Sequence, residues 1–253
     1  MLFRSLATII GELKANRHTR RAVLAMWDGG CIDPVDARNG VRGDLHRAIA
    51  GSADVPCNTH VYFDTVGGRL NMMVCCRSND IIWGAYGANA VHFSFLLEYV
   101  SQMTGLSIGV YRQLSNNYHL YTDIVPPERI MPMARDVEMT DFYAEQLAGH
   151  PSLRVERKFE ICTVPLVTDP DTFDADLLQW FDESCEDPIN QHFLYKVASP
   201  MRRAYALFKA GEYDVAVAEA KTIAADDWQK AAVEWLQRRQ GRAAERKIEN
   251  ATA

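Results

Sequence analysis

Apolar residues recur along the chain in two rhythms, and the change from one to the other marks out its elements. Leu6, Ile9, Ile10 and Leu13 repeat at helical spacing, which predicts an amphipathic helix over residues 5 to 17 with Asn16 and His18 at its exit. Beyond Thr19, Arg20 and Arg21 the run from Ala22 to Trp27 reads as extended. Residues 28 to 53 are rich in Gly, Asp and Arg and show little periodicity. They read as a long surface loop with one short helical turn at Leu45 to Ala50. His60-Val61-Tyr62-Phe63-Asp64 alternates as a strand does, Gly67-Gly68 suits the positive φ of a hairpin turn, and Leu70 to Cys76 returns as the partner strand. Over Asn89 to Met103 a wide apolar face carries Val91, Phe95, Leu96, Tyr99, Val100 and Met103, and Gly105 ends this helix. Ile108 to Tyr121 reads as strand, turn and strand.

After Pro126-Pro127 the character of the chain changes. A short helix at Thr140 to Leu147 and a strand from Val155 to Val167 are expected to finish the sheet. The remainder is almost wholly helical in pattern. Leu207-Phe208, Gly211-Glu212-Tyr213 and the alanines at 216, 218 and 220 resemble one helix-turn-helix repeat of the tetratricopeptide kind. One such repeat cannot bury its own apolar face. The expected organisation is therefore a mixed α/β core over residues 1–170 and a helical region over 171–253 that packs on the core or on a second subunit.

Composition narrows the function classes. A chain of 253 residues with 48% apolar content supplies an ordinary globular core. No apolar run reaches the roughly 18 residues of a membrane span, and Met1-Leu2-Phe3-Arg4 does not open a secretory signal, so a cytoplasmic location is expected. The net charge of −6 argues against general nucleic-acid binding, which depends on Lys and Arg neutralising phosphates. Six cysteines without CxxC spacing suggest neither a zinc ribbon nor a disulfide framework, and no metal is expected.

The candidate chemistry centres on Cys57. A cysteine after a proline is more often a small buried residue than a nucleophile, unless a cation nearby stabilises the thiolate. Arg77, at the end of the strand paired to the one following Cys57, is the candidate cation. Ser78 and Asp80 share that strand end, where functional side chains are common. Adjacent Arg20 and Arg21 are either solvated edge charges or a clamp for an anion, since guanidinium forks bind phosphate bidentately. His92 beside the apolar helix reads as structural.

These residues fall in an order that resembles the thymidylate synthase and deoxycytidylate hydroxymethylase family. Lys14, Arg20-Arg21 and Trp27 are similar to its paired-arginine strand, Pro56-Cys57 to its nucleophile motif, Arg77-Ser78-x-Asp80 to its phosphate and folate motif, and His119-x-Tyr121 to its deoxyribose motif. The resemblance implies a thymidylate synthase-like fold: a large mixed or antiparallel sheet flanked by helices, packed back to back in a homodimer. It implies that Cys57 thiolate adds to C6 of a deoxypyrimidine monophosphate, so that C5 takes a one-carbon unit from 5,10-methylenetetrahydrofolate. Arg77 and Ser78, with Arg20 and Arg21 of the partner subunit, would hold the 5′-phosphate, and His119 and Tyr121 the sugar. Asp80 and Trp83 would bind the folate. Asn89 would read the base, and its amide suits uracil better than cytosine, which favours dUMP and leaves dCMP possible.

Departures from the family bear on the product. The chain opens at the helix before the paired arginines, so the family's N-terminal part, with its catalytic glutamate, is expected to be missing. Cys76 stands where synthases usually carry glutamine and Asn58 where many carry histidine. The turn Ala85-Tyr86-Gly87-Ala88 is about one residue longer than the family's. A helical charged end replaces the apolar segment that closes over the folate. Less exclusion of water favours a 5-hydroxymethyl product over a methyl one. The alternatives are ordinary thymidylate synthesis and a non-catalytic nucleotide-binding or dimer-forming role.

Overall fold

Leu24, Val61, Phe63, Leu70, Met72 and Val74 are each at most 3% exposed, and they lie on one face of a four-stranded sheet that organises the N-terminal half. The structure is a computed structural model describing residues 2–27, 55–129, 163–182 and 190–252. It divides into two compact units, Met1–Thr140 and Asp141–Ala253, each described here by itself. The predicted loop 28–53, the helix at 140–147 and residues 155–162 of the expected strand lie outside the described residues. Residues 163–167, the end of that strand, are not extended into any sheet.

The first unit runs α1 (Leu2–Ala15), β1 (Val23–Ala25), β2 (Asn58–Val66), β3 (Arg69–Asp80), a π-helical segment (Ile81–Ala88), α2 (Asn89–Thr104) and β4 (Ser107–His119). The sheet order is β1-β2-β3-β4. The first two pairings are antiparallel and β3–β4 is parallel, which makes the sheet mixed, as expected. Gly67 and Gly68, at φ 58° and 76°, form the tight turn that sets the β2–β3 register. The parallel pair needs a crossover, and α2 supplies it. Ile9, Ile10 and Leu13 of α1 and Phe93, Leu97 and Val100 of α2 cover the buried sheet face. The buried edge of α2 is thus rotated from the predicted one, and Val91 is 45% exposed. Gly105, at φ 68°, caps α2 through its N–H to the Gln102 carbonyl.

Residues 107–119 form one strand, not the expected strand, turn and strand. Ser115-Asn116-Asn117 suits a turn by composition, yet Ser115 and Asn117 stay in register with Cys76 and Ser78 in the parallel ladder. Pairing overrides local preference here. A register irregularity between Leu70 and Met72 is satisfied by Asn71, which accepts from Val110 N at 2.9 Å and donates to Asp64 at 2.8 Å. Gly109 is required there, since a Cβ would lie 2.7 Å from the Leu70 carbonyl oxygen.

The second unit contains α3 (Phe173–Phe181), a short π-helical turn (Leu194–Ala198), α4 (Ser199–Lys209), α5 (Tyr213–Ala220) and α6 (Asp226–Thr252). Gly211 at φ 84° turns α4 into α5. Ala216 and Ala220 are fully buried, and Phe208 packs edge-on against Tyr213 and Trp235. Gln191, also fully buried, accepts from the N–H groups of Thr168 and Asp169 and donates to Asp169 O, Thr172 Oγ1 and Asp176 Oδ2. No helix among the described residues is long and apolar enough to cross a membrane.

Candidate active site

The site collects where β2 begins and β3 and β4 end. Cys57 is exposed and immediately precedes β2. Its carbonyl accepts from Arg77 N at 2.9 Å, extending the β2–β3 ladder by one residue and setting the Arg77 side chain over the thiol. Arg77 Nη2 lies 3.8 Å from Cys57 Sγ. The guanidinium is held by the Pro56 carbonyl at 3.0 Å and the Val55 carbonyl at 3.1 Å. Trp27 Nε1 also donates to Pro56 O, at 3.0 Å, and its ring centroid is 5.9 Å from the guanidinium carbon. Pro56-Cys57 is therefore clamped by Trp27, just beyond β1, and by Arg77 of β3. An open cavity of about 570 Å³ beside Arg77 is lined by Thr59, Cys75, Leu114 and Asn116.

Cys76 is buried, and burial foremost pushes its thiol above the usual range. It donates to Asn58 Oδ1 at 3.1 Å. The two departures noted in sequence at positions 58 and 76 are thus each other's partners. Cys76 also meets Ser115, its neighbour on β4.

Asn79 occupies the unassigned position between Ser78 and Asp80, and sequence reasoning missed it. It is 2% exposed. Its Nδ2 donates to Gln113 Oε1 at 2.9 Å and to Ser115 Oγ at 3.0 Å, and its Oδ1 accepts from Asn89 Nδ2 at 3.0 Å. Gln113 Nε2 donates to the Ala85 carbonyl at 2.9 Å. No local signal pointed to Asn79: Gln113 and Ser115 fall in the polar phase of an alternating strand, and only their register with Val74 and Cys76 places both on the face toward the helices. The lengthened turn is absorbed in the π-helical segment, where the Asn89 N–H reaches the Gly84 carbonyl five residues back. Gly87 permits it, since a Cβ there would lie 2.5 Å from Ile82 O. Asn89 consequently starts α2 with its amide against Asn79. Tyr111 donates from its hydroxyl to Asn89 O at 3.2 Å, and burial pushes that phenol up. An open cavity of about 410 Å³ is lined by Asn79, Tyr86, Tyr111, Gln113 and Tyr118.

The remaining candidates are distributed around this centre. Asp80 Oδ1 caps the π-helical segment by accepting from Ile82 N and Trp83 N at 3.0 and 2.6 Å. Trp83, Tyr86, Tyr118 and Tyr121 are largely exposed. Ser78 is half-buried and pairs with Asn117. His119 lies in register with Asp80, and its ring meets Tyr121 edge-on at 5.0 Å. Arg20 is exposed. Arg21 is bound to Glu12 at 2.7 Å. Thr19 and Arg21 together hold the Glu12 carboxyl below its ordinary range. Among the described residues no group of three or more His, Cys, Asp or Glu is placed to hold a metal.

The chain is similar to known proteins. The family model described as Thymidylate synthase matches residues 3–156. The chain is 38% identical over 240 residues to the Deoxyuridylate hydroxymethyltransferase of Pseudomonas phage M6, covering 92% of this chain and 62% of that protein. It is 30% identical over 118 residues to the protein of the same name from Bacillus phage SP01, covering 47% of this chain and 27% of that one. Among solved structures, thermostable thymidylate synthase A from Bacillus subtilis is 22% identical, with a TM-score of 0.38 over 50% of this chain and 39% of that one. The chain spans less than two thirds of the length of these relatives. With its family match covering more than half of its residues, the chain belongs to the thymidylate synthase family.

Proposed function

We propose that the chain carries out one-carbon transfer to C5 of dUMP, giving the 5-hydroxymethyl nucleotide. The observation that carries this reading is the exposed Cys57 thiol with the Arg77 guanidinium 3.8 Å away, because a nearby cation favours the thiolate that attacks. Cys57 Sγ bonds to C6 of the uracil ring, the C5–C6 π electrons move toward C5 and O4, and C5 becomes nucleophilic. When bound, 5,10-methylenetetrahydrofolate supplies the one-carbon unit. Loss of the C5 proton and cleavage of the carbon–nitrogen bond to the donor leave a methylene at C5; water adds to that methylene, and departure of Cys57 Sγ restores the C5–C6 double bond and gives the hydroxymethyl group. The relative from Pseudomonas phage M6, whose name specifies deoxyuridylate and hydroxymethyl transfer, supports both the base and the product.

Residues of this chain fit the one-carbon donor. Asp80 commits one carboxylate oxygen to capping and keeps the other for pterin N–H donors. Exposed Trp83 offers a flat surface to an aromatic ligand. Arg77 and Ser78 bind the phosphate, and His119 and Tyr121 the sugar hydroxyl. Holding the nucleotide at both ends converts the attack of Cys57 into an intramolecular event.

The second sheet face favours a homodimer. Val23, Tyr62, Met73, Cys75 and Leu114 share that face by register, and none is buried. A second copy packed there brings its Arg20 and Arg21 to this site. For Arg21 this requires release from Glu12.

The test is mass spectrometry of nucleotide after incubation with methylenetetrahydrofolate and either dUMP or dCMP. Hydroxymethyl-dUMP is expected. Cys57→Ala is expected to abolish product while retaining nucleotide binding. Full activity in that variant overturns the mechanism. A methyl product makes the chain a thymidylate synthase, and binding without product makes it a non-catalytic member.

A further inference from the structure

We propose that Asn79 and Gln113 are positioning residues that fix which way round the Asn89 carboxamide faces the substrate base, and thereby set the preference for uracil over cytosine. The inference rests on Asn89 reading the base, as proposed above. A carboxamide has nearly the same shape either way round, so its partners decide its sense.

The sequence of decisions begins at the Ala85 carbonyl, which can only accept. Gln113 must therefore turn its Nε2 toward Ala85, at 2.9 Å, and its Oε1 toward Asn79. That oxygen also only accepts, so Asn79 presents Nδ2 to it, at 2.9 Å. Asn79 Oδ1 is then left facing Asn89, and Asn89 must donate, at 3.0 Å. Ser115 accepts the second N–H of Asn79 at 3.0 Å, but a hydroxyl serves equally as donor or acceptor and does not choose the sense. One backbone carbonyl thus orients three amides in turn. Asn79 is 2% exposed, which keeps water from substituting for any of these partners. Gly84 closes over the contact: a Cβ there would lie 2.2 Å from Asn79 Oδ1 and 3.3 Å from Asn89 Nδ2.

With one N–H given to Asn79, Asn89 retains one N–H and Oδ1 for the base. These match O4, an acceptor, and N3–H, a donor, of uracil. Cytosine presents the reverse, a 4-amino donor and an N3 acceptor. To read cytosine in the same pose the amide must turn over, which places Asn89 Oδ1 against Asn79 Oδ1. Two acceptors then face each other in a buried site, and that conflict rejects the wrong base.

The experiment measures dissociation constants of dUMP and dCMP by calorimetry on the full chain and on four variants. Gln113→Leu removes the anchor, and Asn79→Leu removes the relay. Gln113→Glu keeps an acceptor toward Asn79, and at this half-buried position its second oxygen turns from the Ala85 carbonyl to water. Asn89→Ala removes the reader. Gln113→Leu and Asn79→Leu are expected to lower the dUMP-over-dCMP preference by on the order of tenfold, while Gln113→Glu keeps it. Gln113 is only half-buried, so the Gln113 pair decides the matter if Asn79→Leu does not fold. Preference unchanged in Gln113→Leu but lost in Asn89→Ala overturns this inference and spares the base-reading role. Equal loss of preference in Gln113→Leu and Gln113→Glu also overturns it, because a merely structural role predicts that result. Preference unchanged in Asn89→Ala overturns the base-reading role itself, and this inference with it.

Discussion

At the scale of single residues, Arg77 has two tasks that can be separated. Its side chain ties down the carbonyls of Val55 and Pro56 and sets a positive charge 3.8 Å from the Cys57 sulfur. A unit charge at such a distance is worth about 1 kcal/mol in water, so Arg77→Gln is expected to slow alkylation of Cys57 by iodoacetamide about fivefold at pH 7. Arg77→Lys, which keeps the charge, is expected to retain the rate. Peptide mass spectrometry after timed quenching reads both, and an unchanged rate in the glutamine variant means that the charge does not act on the thiol. Cys76 stays unlabelled in the folded protein because it is buried and its thiol is pushed up. Cys57, Arg77 and Asp80 were legible in sequence as candidates because each stands in a motif, and Asn89 because it heads the helix after the glycine-rich turn. Asn79 was not, because an asparagine between Ser78 and Asp80 looks like any polar residue at a strand end. Its partners come from a strand 34 and 36 residues away, beyond the reach of local pattern.

At the scale of elements, the hairpin turn at Gly67-Gly68 and the end of α2 at Gly105 could be read directly, since positive φ leaves glycine a clear signature. The buried face of α2 could not. Apolar residues surround its first turns, with Val91, Phe93, Phe95, Leu96 and Leu97 pointing several ways, and only the sheet decides which are covered. β4 defeated local reading for the reason given by its ladder with β3. In the second unit Thr168 and Asp169 precede α3, and the Gln191 side chain pairs with their backbone groups. Gln191→Leu fills a similar volume but leaves the N–H groups of Thr168 and Asp169 without an acceptor. A loss of about 2–4 kcal/mol of stability is expected in urea unfolding. A change below about 0.5 kcal/mol means that these groups find water instead.

At the scale of the whole molecule, the proposed dimer and the uncovered sheet face stand or fall together. Tyr62 is 38% exposed at the middle of that face, beside Val23 and Met73. Tyr62→Glu places a charge where a second sheet would pack, and sedimentation is expected to show dimer for the parent chain and monomer for the variant. A parent chain that is monomeric and active removes any need for the partner's Arg20 and Arg21. The mixed sheet has a further consequence, which lies in time and not in space. The β2–β3 hairpin closes through two glycines, so Cys57 and Arg77 meet across the most local pairing in the sheet. The β3–β4 ladder forms only once α2 has brought Ser107 back beside Arg69, and such long-range closures are the slow ones. Asn79 meets Gln113 and Ser115 only across that ladder. Contact order therefore predicts that Cys57 and Arg77 meet early and that the Asn79 amide is oriented late. On the proposed roles, a half-folded chain would present its nucleophile before it could tell one base from another.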